Sequence, residues 1–462
     1  MEDEAVAKTY HFPKGFVWGG ATASYQIEGA AFVDGRGLSI WDTFSHTPGK
    51  TLNGDTGDVA CDHYHRWRED IQLMKELGLG AYRFSIAWPR VLPRGRGRVN
   101  EVGLAFYDRL VDGLLEAGIT PYITLYHWDL PQALQNEGGW VNRATVDAFS
   151  EYTKVVADRL GDRVKHWITL NEPWVSAWVG HSEGRHAPGL KDRTAALQAA
   201  HHLLLAHGRA VPLLRAASGP KAEVGITLNV GPQYPVSLNP EDQQAAIYAD
   251  GHLNRWFLDP LFGKGYPTDM QELYAKAGAR PPVTQPADFS EIDAHLDFIG
   301  VNYCFPHFVY AAGIDDRQMG WAALSPEQHV ANGREITEMG WPVVPTGFTD
   351  ILTRIQRDYS PKTLYITENG CAMADELVDG AVDDPRRVAY YRRHLIAVRR
   401  AIDEGTPVKG FFAWSLMDNF EWGWGYSKRF GIVYVNYATQ QRIPKASAHF
   451  YKQVIAANAV SE

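Results

Sequence analysis

The chain has 462 residues, of which 45% are apolar and 21% charged. It contains no apolar run of about 18 residues, so the composition predicts a globular protein with a large core and no membrane span. The net charge of −9 argues against general affinity for nucleic acid, because binding to phosphates requires a basic surface.

The N-terminus and the cysteines bear on the cellular compartment. The opening stretch MEDEAVAKTYHFP is acidic and lacks the apolar segment of a secretory signal. Cys61, Cys304 and Cys371 are odd in number and show no C-x-x-C spacing, so neither a disulfide framework nor a zinc ribbon is indicated. We therefore expect a cytoplasmic protein.

Short β-branched and aromatic runs alternate with amphipathic stretches, and no linker or short repeat interrupts them. We predict strands at residues 16–24, 81–88, 121–128, 166–173, 222–229, 297–304, 363–370 and 408–416. Helices are predicted between them, for example at 65–78, 103–118 and 385–405. This alternation predicts an α/β fold, a single (β/α)8 TIM barrel over residues 1–462 with long βα loops.

In such a barrel the C-terminal ends of the strands carry the chemistry. Six of the predicted strands end in polar or aromatic groups: Arg83, His127, Trp128, Asn171, Glu172, Asn302, Tyr303, Glu368, Asn369 and Trp414. Glu172 in ITLNEP and Glu368 in YITENG have nearly identical settings. A single such Glu would more often be a buried acid paired with Arg83, but two on facing strands favour a pair that cleaves glycosides. A gap of about 5 Å would give retention and one of roughly 6.5–9.5 Å inversion.

Four motifs carry a family resemblance: FVWGGATASYQIEGA (16–30), TLNEPW (169–174), YITENG (365–370) and WSLMDNFEW (414–422). In this order they resemble glycoside hydrolase family 1, the retaining β-glucosidase family, along essentially the whole chain. The resemblance implies that Glu172 is the general acid/base and Glu368 the nucleophile, with Arg83 keeping Glu368 ionised. It also implies hydrolysis of terminal β-D-glucosyl residues, and possible use of β-galactosides or β-fucosides, without a metal or other cofactor.

The resemblance further implies a set of residues that bind the substrate, a small β-glucoside or oligosaccharide. They are Gln26, His127, Asn171, Asn302, Trp414, Glu421 and Trp422 around the sugar, with Trp341 on the leaving-group side. Amide, imidazole and carboxyl groups can bond hydroxyls, and tryptophan can stack on a pyranose. Because a carboxylate would repel a phosphate, Glu421 argues against 6-phospho sugars despite Lys428 and Arg429.

Several aromatic and histidine residues allow two interpretations. Trp178 and His181 follow Glu172 and can form either an aromatic entrance for apolar leaving groups or part of the packing at the barrel rim. The histidines of AHHLLLAHG (200–208) are more typical of a core helix than of a metal site, and those of HYH (63–65) do not share a helix face.

One residue departs from the family pattern. The motif usually reads Asn-Tyr-Tyr, with the second tyrosine donating its hydroxyl to the nucleophile, whereas this chain has Asn302, Tyr303 and Cys304. Because a thiol is a weak donor on a short arm, Glu368 is expected to be less well oriented, or else the pocket is wider. In a third alternative Tyr303 or a water fills the gap. A transglycosidase and a weakly active sugar-binding variant are therefore alternative functions, and the sequence leaves the oligomeric state open.

Overall fold

A closed barrel of parallel strands organises the molecule. The computed structural model describes residues 8–315 and 318–462. Within them eight strands close in chain order, and the last pairs with the first. They are β1 Val17–Ala21, β2 Ala81–Ser85, β3 Thr120–Tyr126, β4 His166–Asn171, β5 Glu223–Asn229, β6 Phe298–Tyr303, β7 Leu364–Asn369 and β8 Val408–Trp414. All eight predicted strands are present, which confirms the TIM-barrel prediction.

Helices lie between the barrel strands in the chain and contribute their apolar faces to the main core. The α-helices are Ser24–Ile27, Ile40–Ser45, His63–Glu76, Trp88–Val91, Glu101–Glu116, Gln132–Gln135, Ala144–Leu160, Arg193–Ser218, Pro240–Asp250, Trp256–Leu261, Thr268–Lys276, Asp288–Ile292, Pro326–Ala331, Pro345–Tyr359, Pro385–Asp403 and Ala446–Ala457. Short 3-10 turns span Leu52–Gly54, Gly139–Val141 and Trp422–Trp424, and π-helical segments span Val175–Glu183 and Gly251–Arg255. The three helices named from the sequence are confirmed, each beginning and ending within two residues of its predicted bounds.

Smaller sheets lie outside the barrel. Thr9–His11 pairs with Ala459–Ser461, and Val433–Asn436 pairs with Gln441–Pro444. A three-stranded sheet contains Gln233–Pro235, His307–Ile314 and Met319–Ala323. The described part of the chain does not include residues 1–7 or 316–317. The first of these ranges contains the start of the segment that was predicted to lack a secretory signal. None of the helices in the described part has both the length and the apolar composition needed to cross a bilayer.

Aromatic side chains fill the barrel interior below the C-terminal mouth. Tyr122 packs edge-on against Tyr365 and Phe412, with ring centroids 5.5 and 4.9 Å apart. Glycine is required where strands approach these rings, because a Cβ on Gly19 would lie 2.4 Å from the Phe412 ring. This packing leaves the C-terminal end of the barrel as the place for a ligand.

A buried charge network anchors the loop that follows β8. The Lys445 ammonium donates to Asp375 at 2.5 Å and to Asp418 at 2.7 Å, and all three side chains are fully buried. Arg387 also donates to both oxygens of Asp375, and Arg429 donates to Asp418. Asp418 lies in the WSLMDNFEW motif, so this network fixes the backbone that carries Glu421.

We predict that Lys445→Met destabilises the fold, because it leaves buried carboxylates without one of their cations. The expected loss in the free energy of unfolding is about 3–5 kcal/mol. Thermal and urea denaturation measure it. Lys154→Met, which removes the exposed pair with Asp158, is the matched control and is expected to cost about 1 kcal/mol or less. Equal denaturation midpoints for the two variants would contradict the prediction.

Candidate active site

A cavity of about 400 Å³ opens at the C-terminal ends of the barrel strands. Nine of the predicted site residues line it: His127, Glu172, Asn302, Cys304, Trp341, Glu368, Trp414, Glu421 and Trp422. The other three, Gln26, Arg83 and Asn171, are almost fully buried and contact residues of this lining. The structure therefore brings all twelve predicted residues together, in a cavity of the size that holds small ligands.

Arg83 joins the two strand ends that carry the carboxylates. Its Nη1 donates to Glu368 Oε1 at 2.5 Å and its Nη2 to Asn171 Oδ1 at 2.6 Å. Further bonds from Nε to Thr124 Oγ1 and from Nη1 to the Thr367 carbonyl hold the guanidinium plane. Since the side chain is 1% exposed, these bonds are not shared with bulk solvent, and Glu368 has a fixed cationic neighbour.

Asn302 orients the second carboxylate. Its Oδ1 accepts the Thr367 hydroxyl at 2.8 Å, so its Nδ2 faces the site. That Nδ2 donates to Glu172 Oε1 at 2.6 Å and to Asn171 Oδ1 at 3.0 Å. Because Oε1 of Glu172 accepts this bond, Oε2 is the oxygen left to carry a proton.

The surroundings give the two carboxyl groups different proton affinities. Burial raises the pKa of Glu172 to about 8, and the charge of Glu368 adds to the rise. Burial also raises the pKa of Glu368, but the ion pair with Arg83 opposes that rise. Glu172 is thus the carboxyl group favoured to be protonated at neutral pH, and Glu368 is the one favoured to be charged.

Aromatic rings and a neutral histidine form the inner wall. The His127 ring lies nearly parallel to Trp414 and Trp422, with centroids 5.9 Å away in both cases. Burial, with a smaller contribution from Arg83, lowers the pKa of His127 well below its usual value, so the imidazole is neutral. Asn171 Nδ2 lies 3.1 Å from His127 Nε2, and since Asn171 Oδ1 already accepts two bonds, Nδ2 is the amide atom that can donate to a ligand.

The inner end of the cavity joins the first and last sequence motifs. Gln26 Nε2 donates to the Phe420 carbonyl at 2.9 Å, to Asn419 Oδ1 at 3.0 Å and weakly to Glu421 Oε2 at 3.4 Å. Burial raises the pKa of Glu421 to about 8, and the charges of Glu368 and Glu172 add to it. Among residues 8–315 and 318–462, Gln26 alone bonds to the side-chain oxygens of Glu421, so these oxygens are available to a ligand.

The two cations near Glu421 in sequence bond to other groups. Lys428 Nζ donates to the Glu338 carbonyl at 2.7 Å, and Arg429 Nη1 pairs with Asp418 at 2.6 Å. Both cations therefore already bond to protein oxygens, which agrees with the argument from Glu421 against 6-phospho sugars.

Three residues of the mouth have a left-handed backbone, which is rare for residues other than glycine. The φ angles are 76° at Trp128, 46° at Glu172 and 49° at Trp422. Each side chain lines the cavity. Such conformations cost about 1–3 kcal/mol and concentrate at functional sites, so their clustering marks this mouth as one.

The Cys304 thiol lines the cavity without a hydrogen bond to any residue in the described ranges. Burial raises its pKa well above the usual value, and nearby carboxylates add to this, so the thiol is neutral. Tyr303 does not fill the gap, so that half of the third alternative is wrong. Its hydroxyl donates to the Val344 carbonyl at 2.8 Å and its ring stacks on Phe348, because neighbouring residues of a strand face opposite sides.

Of the two interpretations of Trp178 and His181, packing within the protein is the one that the structure supports. Trp178 is 1% exposed and packs on His252 and Tyr274, and His181 is buried with its Nδ1 2.7 Å from the Ser176 carbonyl. Both lie on the π-helical segment Val175–Glu183, which turns these side chains inward.

The histidines of the long helix are core residues, as predicted. Arg193–Ser218 begins with Asp192, which accepts hydrogen bonds from two backbone N–H groups as an N-cap. His201 contacts Asp288, His202 contacts the Trp140 carbonyl and His207 contacts Thr169. Each histidine thus has a different buried partner.

Asn229, Phe305 and His307 are among the lining residues that do not appear in the sequence predictions. Asn229 ends β5 beside Asn302 of β6, so the rule that strand ends carry the site would have found it. Phe305 follows β6 and His307 begins the strand His307–Ile314, which the sequence analysis did not predict.

Comparisons with known proteins cover nearly the whole chain. The model of Glycosyl hydrolase family 1 matches residues 8–460. Beta-glucosidase A of Thermotoga maritima is 50% identical over 453 residues, which are 98% of this chain and 99% of that protein. A bifunctional beta-D-glucosidase/beta-D-fucosidase of Bifidobacterium breve is 46% identical over 465 residues, 97% of this chain and 99% of its own.

A solved structure is also similar to this chain over nearly its whole length. The family 1 b-glucosidase from Thermotoga maritima in complex with isofagomine lactam matches with a TM-score of 0.93 and 48% identity, over 98% of this chain and 100% of that one. The likeness first indicated by four short motifs therefore extends over the entire barrel.

Proposed function

Because the chain belongs to glycosyl hydrolase family 1, we propose that Glu172 and Glu368 carry out a double displacement in this cavity. The chain is a retaining β-glucosidase that hydrolyses terminal non-reducing β-D-glucosyl residues. The roles of the two residues rest on one observation: Arg83 contacts Glu368 at 2.5 Å, whereas Glu172 has a pKa raised by burial and by the charge of Glu368.

In the first displacement Glu368 attacks the anomeric carbon as a carboxylate. Glu172 donates its proton to the glycosidic oxygen, the bond to the leaving group breaks, and an ester forms between the sugar and Glu368. Asn302 holds Oε1 of Glu172, so the transferred proton comes from Oε2.

In the second displacement a water attacks the anomeric carbon of the glycosyl ester, and the bond between that carbon and the Glu368 oxygen breaks. Esterification removes the charge of Glu368, which raised the pKa of Glu172 in the free enzyme, so that pKa falls. Glu172 then accepts a proton from the water as a general base. Two inversions at one carbon release the β-anomer and restore both carboxyl groups.

The polar residues at the inner end recognise the sugar hydroxyls. Asn171 Nδ2 is placed to donate to the 2-hydroxyl, while Gln26 and Glu421 bind hydroxyls at the far side of the ring. Trp414 and His127 supply the flat wall on which the pyranose packs. A Gln–Glu pair can bond axial or equatorial hydroxyls, so we include β-galactosides and β-fucosides among the substrates, as the name of the Bifidobacterium breve relative indicates for itself.

We also propose that residues 1–462 form one catalytic domain and that the enzyme is cytoplasmic. The family match from residue 8 to 460 supports the first proposal, and the three free cysteines support the second. Limited proteolysis into two separately folded fragments would contradict the first, and recovery outside the cytoplasmic fraction of native cells would contradict the second.

We predict that the protein releases the phenol of an aryl β-glucoside and that the first sugar formed is β-glucose, as double displacement requires. NMR of the first turnovers identifies the anomer. Glu368→Ala is expected to reduce turnover on the order of 10⁴-fold or more. Azide should then restore reaction and yield the α-glucosyl azide, since a single displacement inverts the centre.

The same measurements separate the alternatives drawn from the sequence. No phenol release would indicate a sugar-binding variant, and a dominant alkyl glucoside in the presence of an alcohol would indicate a transglycosidase. α-Glucose as the first product, or failed azide rescue in a folded Glu368→Ala variant, would contradict the assigned mechanism.

The pKa of Glu172 predicts the alkaline limb of the pH profile. A general acid acts only when protonated, so kcat/KM for a phenyl β-glucoside is expected to fall as the pH rises through about 8. Glu172→Ala with a dinitrophenyl β-glucoside, whose leaving group needs no proton, should lack this limb. If the limb persists in that variant, another group such as Glu421 is titrating and the assignment is wrong.

We predict that Cys304→Tyr speeds hydrolysis by supplying a hydroxyl that donates to Glu368. One hydrogen bond to a charged group corresponds to about 10-fold to 100-fold in rate. Cys304→Phe is the matched control, because it adds the ring without the hydroxyl. Steady-state and burst kinetics should show faster decay of the glycosyl-enzyme in the tyrosine variant alone, and equal rates for the two variants would contradict this role.

A further inference from the structure

Three neighbouring barrel strands bring two hydroxyl groups together beside the Asn302 amide. Thr227 lies on β5 and Thr367 on β7, and the Thr227 hydroxyl donates to Thr367 Oγ1 at 3.2 Å. Gly300 of β6 lies between them, and a Cβ there would come within 2.3 Å of Thr227 Oγ1 and 2.9 Å of Thr367 Oγ1. Glycine at this position therefore leaves the space in which the two hydroxyls meet.

Thr367 is connected to both carboxyl groups of the site. Its hydroxyl donates to Asn302 Oδ1 at 2.8 Å, and Asn302 Nδ2 donates to Glu172 Oε1 at 2.6 Å. Its carbonyl accepts a hydrogen bond from Arg83 Nη1 at 3.0 Å, and the same guanidinium nitrogen donates to Glu368. The side chain of Thr367 thus leads to Glu172, whereas its backbone leads to Glu368.

The donors of Arg83 identify the nitrogen and the oxygen of the Asn302 amide. A guanidinium carries only donors, so the Asn171 atom 2.6 Å from Arg83 Nη2 is the amide oxygen. The Asn302 atom 3.0 Å from that oxygen is then the nitrogen, and the Asn302 oxygen faces Thr367. Among residues 8–315 and 318–462, Thr367 alone donates to this buried oxygen.

We propose that Thr367 is a positioning residue for the general acid. Its hydroxyl holds the Asn302 amide in the direction in which the nitrogen donates to Glu172 Oε1, and this leaves Oε2 to carry the proton towards the glycosidic oxygen. Without the hydroxyl the Asn302 oxygen is a buried acceptor that lacks a donor, which weakens the hold of the amide on Glu172. The inference rests on the proposed function and adds the residue that orients its acid.

A weaker bond from Asn302 also changes the proton affinity of Glu172. Burial and the charge of Glu368 raise the pKa of Glu172, whereas the Asn302 bond and the charge of Arg83 lower it. The charged groups that face Glu172 are thus Glu368 and Arg83, with Glu421 in the same cavity. Because the Asn302 bond stabilises the carboxylate, its loss raises the pKa of Glu172 further.

Two substrates separate the acid from the nucleophile. A phenyl β-glucoside needs a proton on its leaving group, whereas a dinitrophenyl β-glucoside reacts without one. Damage to Glu368, to Arg83 or to the sugar site lowers kcat/KM for both, while a misplaced Glu172 lowers it for the phenyl glucoside. The readout is therefore the ratio of kcat/KM for the phenyl over the dinitrophenyl substrate, which a purely structural role of Thr367 would leave unchanged.

We expect Thr367→Val, which removes the hydroxyl and keeps the shape of the side chain, to lower this ratio about 10-fold. The alkaline limb for the phenyl glucoside should move to higher pH, since the pKa of Glu172 rises. Thr367→Ser retains the hydroxyl and should keep the ratio. The matched control is Thr169→Val, because Thr169 is also a fully buried barrel threonine but its hydroxyl contacts His207. This control should leave the ratio unchanged.

A double-mutant cycle tests whether Thr367 acts through Asn302. Asn302→Ala should lower the ratio at least as much as Thr367→Val. Asn302→Ala/Thr367→Val should lower it no further, because the hydroxyl then has no amide to orient. Thermal midpoints identify any variant that does not fold. If Thr367→Val is one, Thr227→Val provides the test, since it removes the donor to Thr367 and should give a smaller decrease in the ratio.

The possible outcomes distinguish the inference from the proposed function. An unchanged ratio in the folded Thr367→Val or, in its place, Thr227→Val variant would overturn the inference and leave the proposed function standing. Thr367→Ser as impaired as Thr367→Val, or effects that multiply in the double variant, would do the same. An unaltered enzyme that hydrolyses neither aryl glucoside would overturn both.

Discussion

The ion pair between Arg83 and Glu368 is the interaction on which the site depends. A carboxylate buried at the mouth of the barrel would be protonated without a cation nearby, and it would then not act as a nucleophile. The guanidinium also donates to Asn171. Asn302 in turn donates to both Asn171 and Glu172. One fixed cation thus sets the charge of one acid and, through two amides, the orientation of the other.

Backbone strain at the mouth of the barrel destabilises the fold, and packing and ion pairs elsewhere offset this cost. Trp128, Glu172 and Trp422 have left-handed backbones that oppose folding. Aromatic packing around Tyr122 and the buried network of Lys445 stabilise the strands and the loop that present them. Because Asp418 belongs both to that network and to the motif containing Glu421, the charge network holds the backbone that carries Glu421.

The residues that follow β6 include the one departure from the family motif that the sequence analysis found. Cys304 leaves Glu368 without the hydroxyl that the family motif would provide, while Phe305 and His307, which follow directly, extend the cavity wall outward. A short segment after one strand therefore supplies three of the residues that line the cavity.

The sequence by itself determined the barrel and the inner site. Eight apolar runs, six of which end in polar or aromatic residues, locate Glu172 and Glu368 because strand ends in a closed parallel barrel must meet at one mouth. Only the tertiary structure decided that Trp178 and His181 turn into the core, that Tyr303 bonds to Val344, and that His307 faces the cavity. Side chains on a π-helical segment and beyond a strand end follow no simple period, so their direction depends on contacts between residues far apart in the chain.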